Sequence, residues 1–262
     1  MVERTLAKTD VHLFWESCYR HPLNEHFYEM AFDHLVTILQ PRRDAIFLDA
    51  GCGLAYHSMR LARRGFRVLA VDFSKTALAT AQANVQAASL EDRVVLQHEN
   101  LLTLSFVDGQ FDYIICWGVL MHIPEVERAI AEISRVLGRG GKLIVSEGNR
   151  HAPEAKLRSS LKVLLRRRGG HVTVTPAGIE TWSDSPAGTY LTRLTDIPYL
   201  IRQFEQHGLH LRDRSAGQFS EVYARLPSDL LKRLVHAFNR FYFLHIRKPG
   251  PAMGNLLIFE KR

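Results

Sequence analysis

The chain has 262 residues, 46% of them hydrophobic, with 34 Lys and Arg against 27 Asp and Glu for a formal net charge of +7. That is enough apolar material to bury a large core as one elaborated α/β unit, and no apolar run approaches the roughly 20 residues of a membrane span. Cys18, Cys52 and Cys116 are odd in number and far apart, which excludes a disulfide framework or a cysteine metal cluster and fits a reducing, cytoplasmic setting; residues 1–10 lack the apolar segment of a secretion signal.

Residues 10–40 read as a helical prologue. Val11, Phe14 and Trp15, then Phe27, Met30, Ala31, His34, Leu35 and Ile38, recur at helical spacing, and Pro22 divides them into two helices. Phe47-Leu48-Asp49-Ala50 is a first buried strand that runs into the turn Gly51-Cys52-Gly53. A helix follows and ends near Gly65; residues 66–71 form a second strand with Asp72 at its tip. Such a unit grips a nucleoside, because the glycines let backbone approach the ligand and the acid at the second tip accepts both ribose hydroxyls. The turn is a poor pyrophosphate site. Tyr56 stands where G-x-G-x-x-G needs its third glycine, and Asp49 would repel two phosphates. A ligand carrying an ammonium and a sulfonium suits Asp49 better.

Ser74 is placed to cap an alanine-rich helix over residues 75–88. Residues 94–101 read as a third strand ending at Asn100, and residues 111–117 as a fourth, followed by the loop Gly118-Val119-Leu120-Met121-His122-Ile123-Pro124. Val126, Ala129, Ile130, Ile133, Val136 and Leu137 mark a helix that stops at Gly138. Gly140-Gly141 then turns the chain into a fifth strand over 142–146. Residues 154–168 read as a basic amphipathic helix ending in Arg166-Arg167-Arg168, where positive charge complements the helix dipole. Residues 169–193 are rich in turn formers, with Pro176, Pro186, Trp182 and Tyr190 among them. A helix over 196–207 closes at Gly208, a sixth strand covers 209–214, a long helix bearing Leu234, Phe238, Phe241 and Tyr242 covers 227–247, and a last strand covers 255–260.

Asp49-Ala50-Gly51-Cys52-Gly53, with Asp72 after it, closely resembles motif I and the acidic second-strand tip of class I S-adenosylmethionine-dependent methyltransferases, and the resemblance runs over roughly residues 45–150. It implies a Rossmann-like α/β fold: seven mostly parallel strands in the order 3-2-1-4-5-7-6, the seventh antiparallel, with helices on both faces and insertions after strands five and six. A single methyltransferase domain then spans 1–262, with 1–44 a helical N-terminal cap, 45–150 the cofactor-binding core, 151–193 an insertion over the site, and 194–262 the rest of the sheet with its long inserted helix. That late helix departs from the family's shorter connection.

The resemblance also implies S-adenosyl-L-methionine as cofactor, S-adenosyl-L-homocysteine as product, and no metal. By motif match Asp49 orients the methionyl ammonium, Gly51 and Gly53 permit the close turn, and Cys52 presents its backbone to the ligand. Asp72 holds the ribose diol, Phe73 lies against the adenine face, and Asn100 and Leu101 meet the adenine edge. Trp117 approaches the methionyl chain and sulfonium, where an aromatic face helps a cation. Tyr19 belongs to a prologue that in related enzymes folds over the cofactor. For the proton of an acceptor there are two candidates, His122 on the rim after strand four and Glu147 leaving strand five.

A small-molecule acceptor is the preferred partner, at oxygen ahead of nitrogen or carbon, given the long insertion and the aromatic late helix. Cys116-Trp117-Gly118-Val119 stands where amine methylases of bases carry Asn/Asp-Pro-Pro-Tyr/Phe. The basic balance keeps RNA methylation as an alternative, although the cations are dispersed and no RNA-binding module is visible. A non-catalytic cofactor-binding subunit is a second alternative, and a nicotinamide oxidoreductase is disfavoured by Tyr56 and Asp49. The late helix suits either a pocket wall or a homodimer interface.

Overall fold

Short strands that are mostly apolar build the centre of the molecule. In the computed structural model, which describes residues 22–164, 171–185 and 188–262, they form β1 (Ile46–Ala50), β2 (Arg67–Asp72), β3 (Val94–His98), β4 (Phe111–Trp117) and β5 (Leu137–Gly148), all parallel. A separate antiparallel sheet of three strands follows: β6 (His171–Thr175), β7 (Gly178–Ser185) and β8 (Gly188–Thr195). The chain then returns to the main sheet through β9 (Leu209–Ala216) and β10 (Gly254–Lys261). β10 lies antiparallel between β5 and β9, so the order is β3-β2-β1-β4-β5-β10-β9. Numbering the main sheet's strands alone makes this 3-2-1-4-5-7-6, as the resemblance implies.

Alternation along the strands sends side chains to two core layers. Phe47 joins α1 (Pro22–Leu39), α2 (Tyr56–Arg63) and α3 (Lys75–Ala87) on one face, with Phe32, Met59, Ala81 and Val85 among the buried residues. Leu48 and Ala50 join α4 (Val126–Val136) and α6 (Ile197–Gln206) on the other, with Ile130, Ile133, Leu200 and Phe204. Caps set the helix starts. Ser74 Oγ accepts from the Ala77 N–H at 3.1 Å to start α3, and Asp196 Oδ1 accepts from the Tyr199 N–H at 2.8 Å to start α6. α1 is tied to α2 by charge: buried Arg60 bonds Glu25, and Arg64 meets Glu29 at 2.7 Å and Asp33 at 2.6 Å.

Two sequence expectations change and a third falls outside the described residues. Pro22 opens α1, with residues 1–21 outside the description, so the division into two helices is not addressed. β5 begins at Leu137 and carries Gly138 to Gly141 through a register shift opposite Phe111 and Tyr113, where a turn between helix and strand is expected. Residues 171–195 are mostly strand rather than turn. Their pattern is that of a thin, half-exposed sheet, with Thr173 and Thr175 alternating against Val172 and Val174, and both valines left in solvent. α5 (Pro153–Leu164) precedes them, and Arg166 to Arg168 lie outside the described residues. The late helix is α7 (Asp229–His245), packed on α1 through Phe243 and Phe27 with ring centroids 5.3 Å apart. Among the described residues no helix is long and apolar enough to cross a membrane, and no His/Cys/Asp/Glu group could hold a metal.

Candidate cofactor and active site

The turn after β1 lies at the C-terminal edge of the sheet, where strand order reverses beside β4, which is where ligands bind in open α/β folds. Gly51, Gly53 and Ala55 all have positive φ, at 87°, 53° and 64°. A Cβ on Gly51 would stand 2.6 and 2.7 Å from the Val119 methyls, so this glycine is demanded by both conformation and space. The Gly51 and Cys52 N–H groups both bond the Val71 carbonyl at 2.9 Å, folding the turn over the end of β2. Asp72 closes it. Its Oδ2 accepts from the Gly53 N–H and its Oδ1 from the Ser74 N–H, each at 2.9 Å. Ala55 makes no side-chain cap on α2, and the backbone N–H of Ser58 in the first turn of that helix bonds the Asp49 carboxylate.

Asp49 is buried beneath this turn, with Ser58 Oγ donating to its Oδ2 at 2.5 Å. Burial pushes its pKa up to about 7, the Ser58 hydrogen bond opposes the shift, and Asp72 adds to it. Two nearby carboxylates in a site of this kind call for a cation. Cys52 is half-buried, and burial with Asp72 and Asp49 beside it drives its thiol well above the ordinary range, so it is no nucleophile.

The remaining cofactor-side residues lie along the neighbouring strand ends. Phe73 is half-buried, its carbonyl accepting from His98 Nε2 at 2.9 Å. The Glu99 N–H bonds the Asp72 carbonyl at 3.1 Å, which brings the end of β3 to the site. Asn100 Oδ1 accepts from the Leu102 N–H at 2.9 Å and so shapes a turn, while the Leu101 side chain is buried in the core, leaving its backbone as the part that can meet a ligand. Glu99 itself is committed. Burial raises its pKa, but the Ser105 hydroxyl and N–H and the Gln97 amide prevail and hold it below the usual range.

Trp117 packs in an aromatic cluster on the α1 and α2 face, with Phe32 stacked at 5.5 Å, His57 at 4.9 Å and Tyr28 edge-on at 6.0 Å. His57 is kept neutral by burial and by Arg60, whose Nη1 donates to its Nδ1 at 3.1 Å. Tyr19 lies outside the described residues.

His122 lies in the turn after β4, and Glu147 bonds the backbone of the same turn. His122 ends a short 3-10 turn, Leu120–His122, and its Nδ1 lies 2.7 Å from the Leu191 carbonyl of β8. A carbonyl only accepts, so Nδ1 carries the hydrogen and Nε2 is the basic nitrogen. Glu147 is buried below that turn. Burial raises its pKa to about 7, opposed by Arg193, by the Met121 and Leu120 N–H groups, and by the Thr195 hydroxyl at 3.4 Å. Its Oε1 has no hydrogen-bond partner. Arg193 of β8, 1% exposed, binds the whole turn: it donates to the Leu120 carbonyl at 2.9 Å, to Ile123 at 3.0 Å, and to Glu180 Oε1 at 2.8 Å.

Sequence reading missed Ser58, His57 and Arg193. Arg193 was open to discovery, since it pairs with Glu180 across the β7–β8 hairpin, but the hairpin itself was read as turns.

Residues 48–145 match the family model described as "Methyltransferase domain". The chain is 33% identical over 121 residues to a ubiquinone/menaquinone biosynthesis C-methyltransferase of Allorhizobium ampelinum, covering 44% of this chain and 46% of that protein. It is 30% identical over 120 residues to a ubiquinone biosynthesis O-methyltransferase of Psychrobacter arcticus, covering 45% and 47%. The chain thus spans about half the length or less of these curated relatives. A solved geranyl diphosphate methyltransferase in complex with SAM superposes with a TM-score of 0.60 at 17% identity, over 89% of this chain and 85% of that one, which establishes the shared fold.

Proposed function

We propose that the chain, whose residues 48–145 match a methyltransferase-domain model, is one domain of the class I S-adenosylmethionine-dependent type and transfers a methyl group to an oxygen of a small-molecule acceptor. The carrying observation is the closed turn: a glycine hinge latched to Asp72 over a buried Asp49 carboxylate. In this reading Asp49 takes the methionyl ammonium and the start of α2 takes the carboxylate. Each Asp72 oxygen keeps a lone pair beyond its backbone bond for the ribose hydroxyls. Phe73 and Asn100, with the Leu101 backbone, border the adenine, and Cys52 contributes only backbone. Trp117 forms the wall beside the sulfonium, and Tyr19 belongs to the segment over it.

S-adenosylmethionine, when bound, supplies a methyl group already activated on sulfur. What remains for this chain is positioning and removal of one proton. His122 Nε2 is the base we assign, with Leu191 fixing its tautomer and Glu147 below the turn favouring the imidazolium that forms. A proton on the acceptor fits a hydroxyl. The names of the relatives, which span O- and C-methyltransferases of quinone biosynthesis, make a ring hydroxyl the class to screen first.

Calorimetry with adenosylhomocysteine, followed by turnover with a panel of phenols, tests the reading. Heat is expected from the wild type and a loss of about tenfold or more in affinity from Asp72→Ala, because a charge-assisted contact and the latch on Gly53 go together. His122→Ala should lower kcat with little change in cofactor affinity. A flat trace from folded protein overturns the cofactor site; heat without turnover on any acceptor leaves a cofactor-binding subunit instead.

A further inference from the structure

Helix α7 turns His236, Asn239, Tyr242 and Phe243 into the molecule. Its opposite face is apolar and open: Leu230 is 67%, Leu234 59% and Phe241 51% exposed, with Leu231, Phe238 and Leu244 also in solvent. Leu230, Leu234, Phe241 and Leu244 follow the three-and-four spacing of a helical stripe, and Leu231 and Phe238 widen it beyond a coiled-coil seam. Six large apolar side chains on one continuous face mark a contact surface.

Charge selects the partner. Arg233 and Arg240, seven residues apart and both exposed, run beside the stripe, and Lys248 is exposed just past its end. Asp229 is the only acidic residue from 229 to 248. A twofold contact with a second copy would set this patch against itself and crowd those cations together. An anionic lipid surface meets the stripe and the cations at once. The net charge of +7 adds attraction of the same sense over longer range.

We propose that α7 is an interfacial helix that seats the protein on an anionic bilayer, its apolar stripe at the acyl boundary and Arg233, Arg240 and Lys248 among the phosphates. This inference needs neither cofactor nor acceptor and stands apart from the methyl-transfer reading. Flotation of the full chain with vesicles of phosphatidylcholine mixed with phosphatidylglycerol, against phosphatidylcholine alone, tests it. The wild type should float with the anionic vesicles and lose binding as salt rises. Leu234→Ser/Phe241→Ser and Arg233→Glu/Arg240→Glu should each bind at least about tenfold more weakly. Thermal melting checks that each variant folds, and Leu230→Ser replaces one that melts early. Failure of the folded wild type to float at low salt overturns the proposal, as does equal binding by the variants. Sedimentation showing a dimer that the same variants dissociate, with no vesicle binding, gives the face to a second copy and also overturns it.

Discussion

Gly51 is the residue at which geometry admits the least freedom. An alanine there must hold φ near 87° and place its Cβ 2.6 Å from Val119. The left-handed conformation costs about 1–2 kcal/mol and the overlap about 1–3 kcal/mol more. Gly51→Ala should therefore lower stability by roughly 2–5 kcal/mol in urea melts. Adding Val119→Ala should recover the steric part and leave the backbone part, so incomplete rescue is the expected signature. Glu147 offers a test with pH. Its folded pKa, about 7, lies above the ordinary 4.5, so the folded protein holds this proton more tightly than the unfolded chain. Stability from this group is intact below pH 4.5, falls as pH rises toward 7, and stays lowered above that. Glu147→Gln should match the wild type near pH 4 and exceed it by up to about 3 kcal/mol at pH 8. A gain of equal size at both pH values would show that ionisation is not its source. Of the site, Asp49, Gly51, Gly53 and Asp72 were legible in the sequence because their spacing sets the backbone path itself. Ser58 and His57 were not, since a helix repeat tells only which face is buried, not which polar group meets Asp49.

Between elements, the β8 strand and the turn after β4 depend on one side chain. Arg193 is fully buried, yet it meets Glu180 and the carbonyls of Leu120 and Ile123, so its hydrogen-bonding capacity is used. Removing it leaves those acceptors and the Glu180 charge in a largely dry place. Arg193→Met should cost about 3–5 kcal/mol, whereas Arg193→Met/Glu180→Gln should cost clearly less than the two changes summed. Urea melts of the four proteins of this cycle give the coupling directly, and simple additivity would mean that the pair does not act as a unit. A looser turn should also lower turnover, because the same turn carries His122. The elements built from parallel strands were readable, as the runs 47–50 and 111–117 are apolar but for one aspartate each. The β6–β8 sheet was not, because a thin sheet with one face in water carries Thr, Glu and Gly in proportions that also suit turns.

At the scale of the whole molecule, the sheet closes through its last strand. Leu256, Leu257, Ile258 and Phe259 are buried, and β10 bonds β5 on one side and β9 on the other. Ending the chain at residue 253 should abolish cooperative folding, since β9 loses its one sheet neighbour among the described residues and both core layers lose a wall. Near-ultraviolet circular dichroism and limited proteolysis would show it; a cooperative melt from the shortened chain would contradict it. Asn255 sits opposite Glu147 in this register, so the final strand also borders the site.

The strand order was implied by the resemblance to a known family; by itself the amino-acid order determined the α/β class of fold and the path of the turn between β1 and α2. These follow from local quantities: apolar runs, glycines that permit positive φ, and an acid a fixed number of residues beyond them. Only the tertiary structure decided that Arg193 clamps the turn bearing His122, that Glu147 is buried with one oxygen unpaired, and that one face of α7 stays in solvent. Those depend on which segments distant in the chain come to lie side by side, and a side chain's partner, burial and charge state exist only once they do.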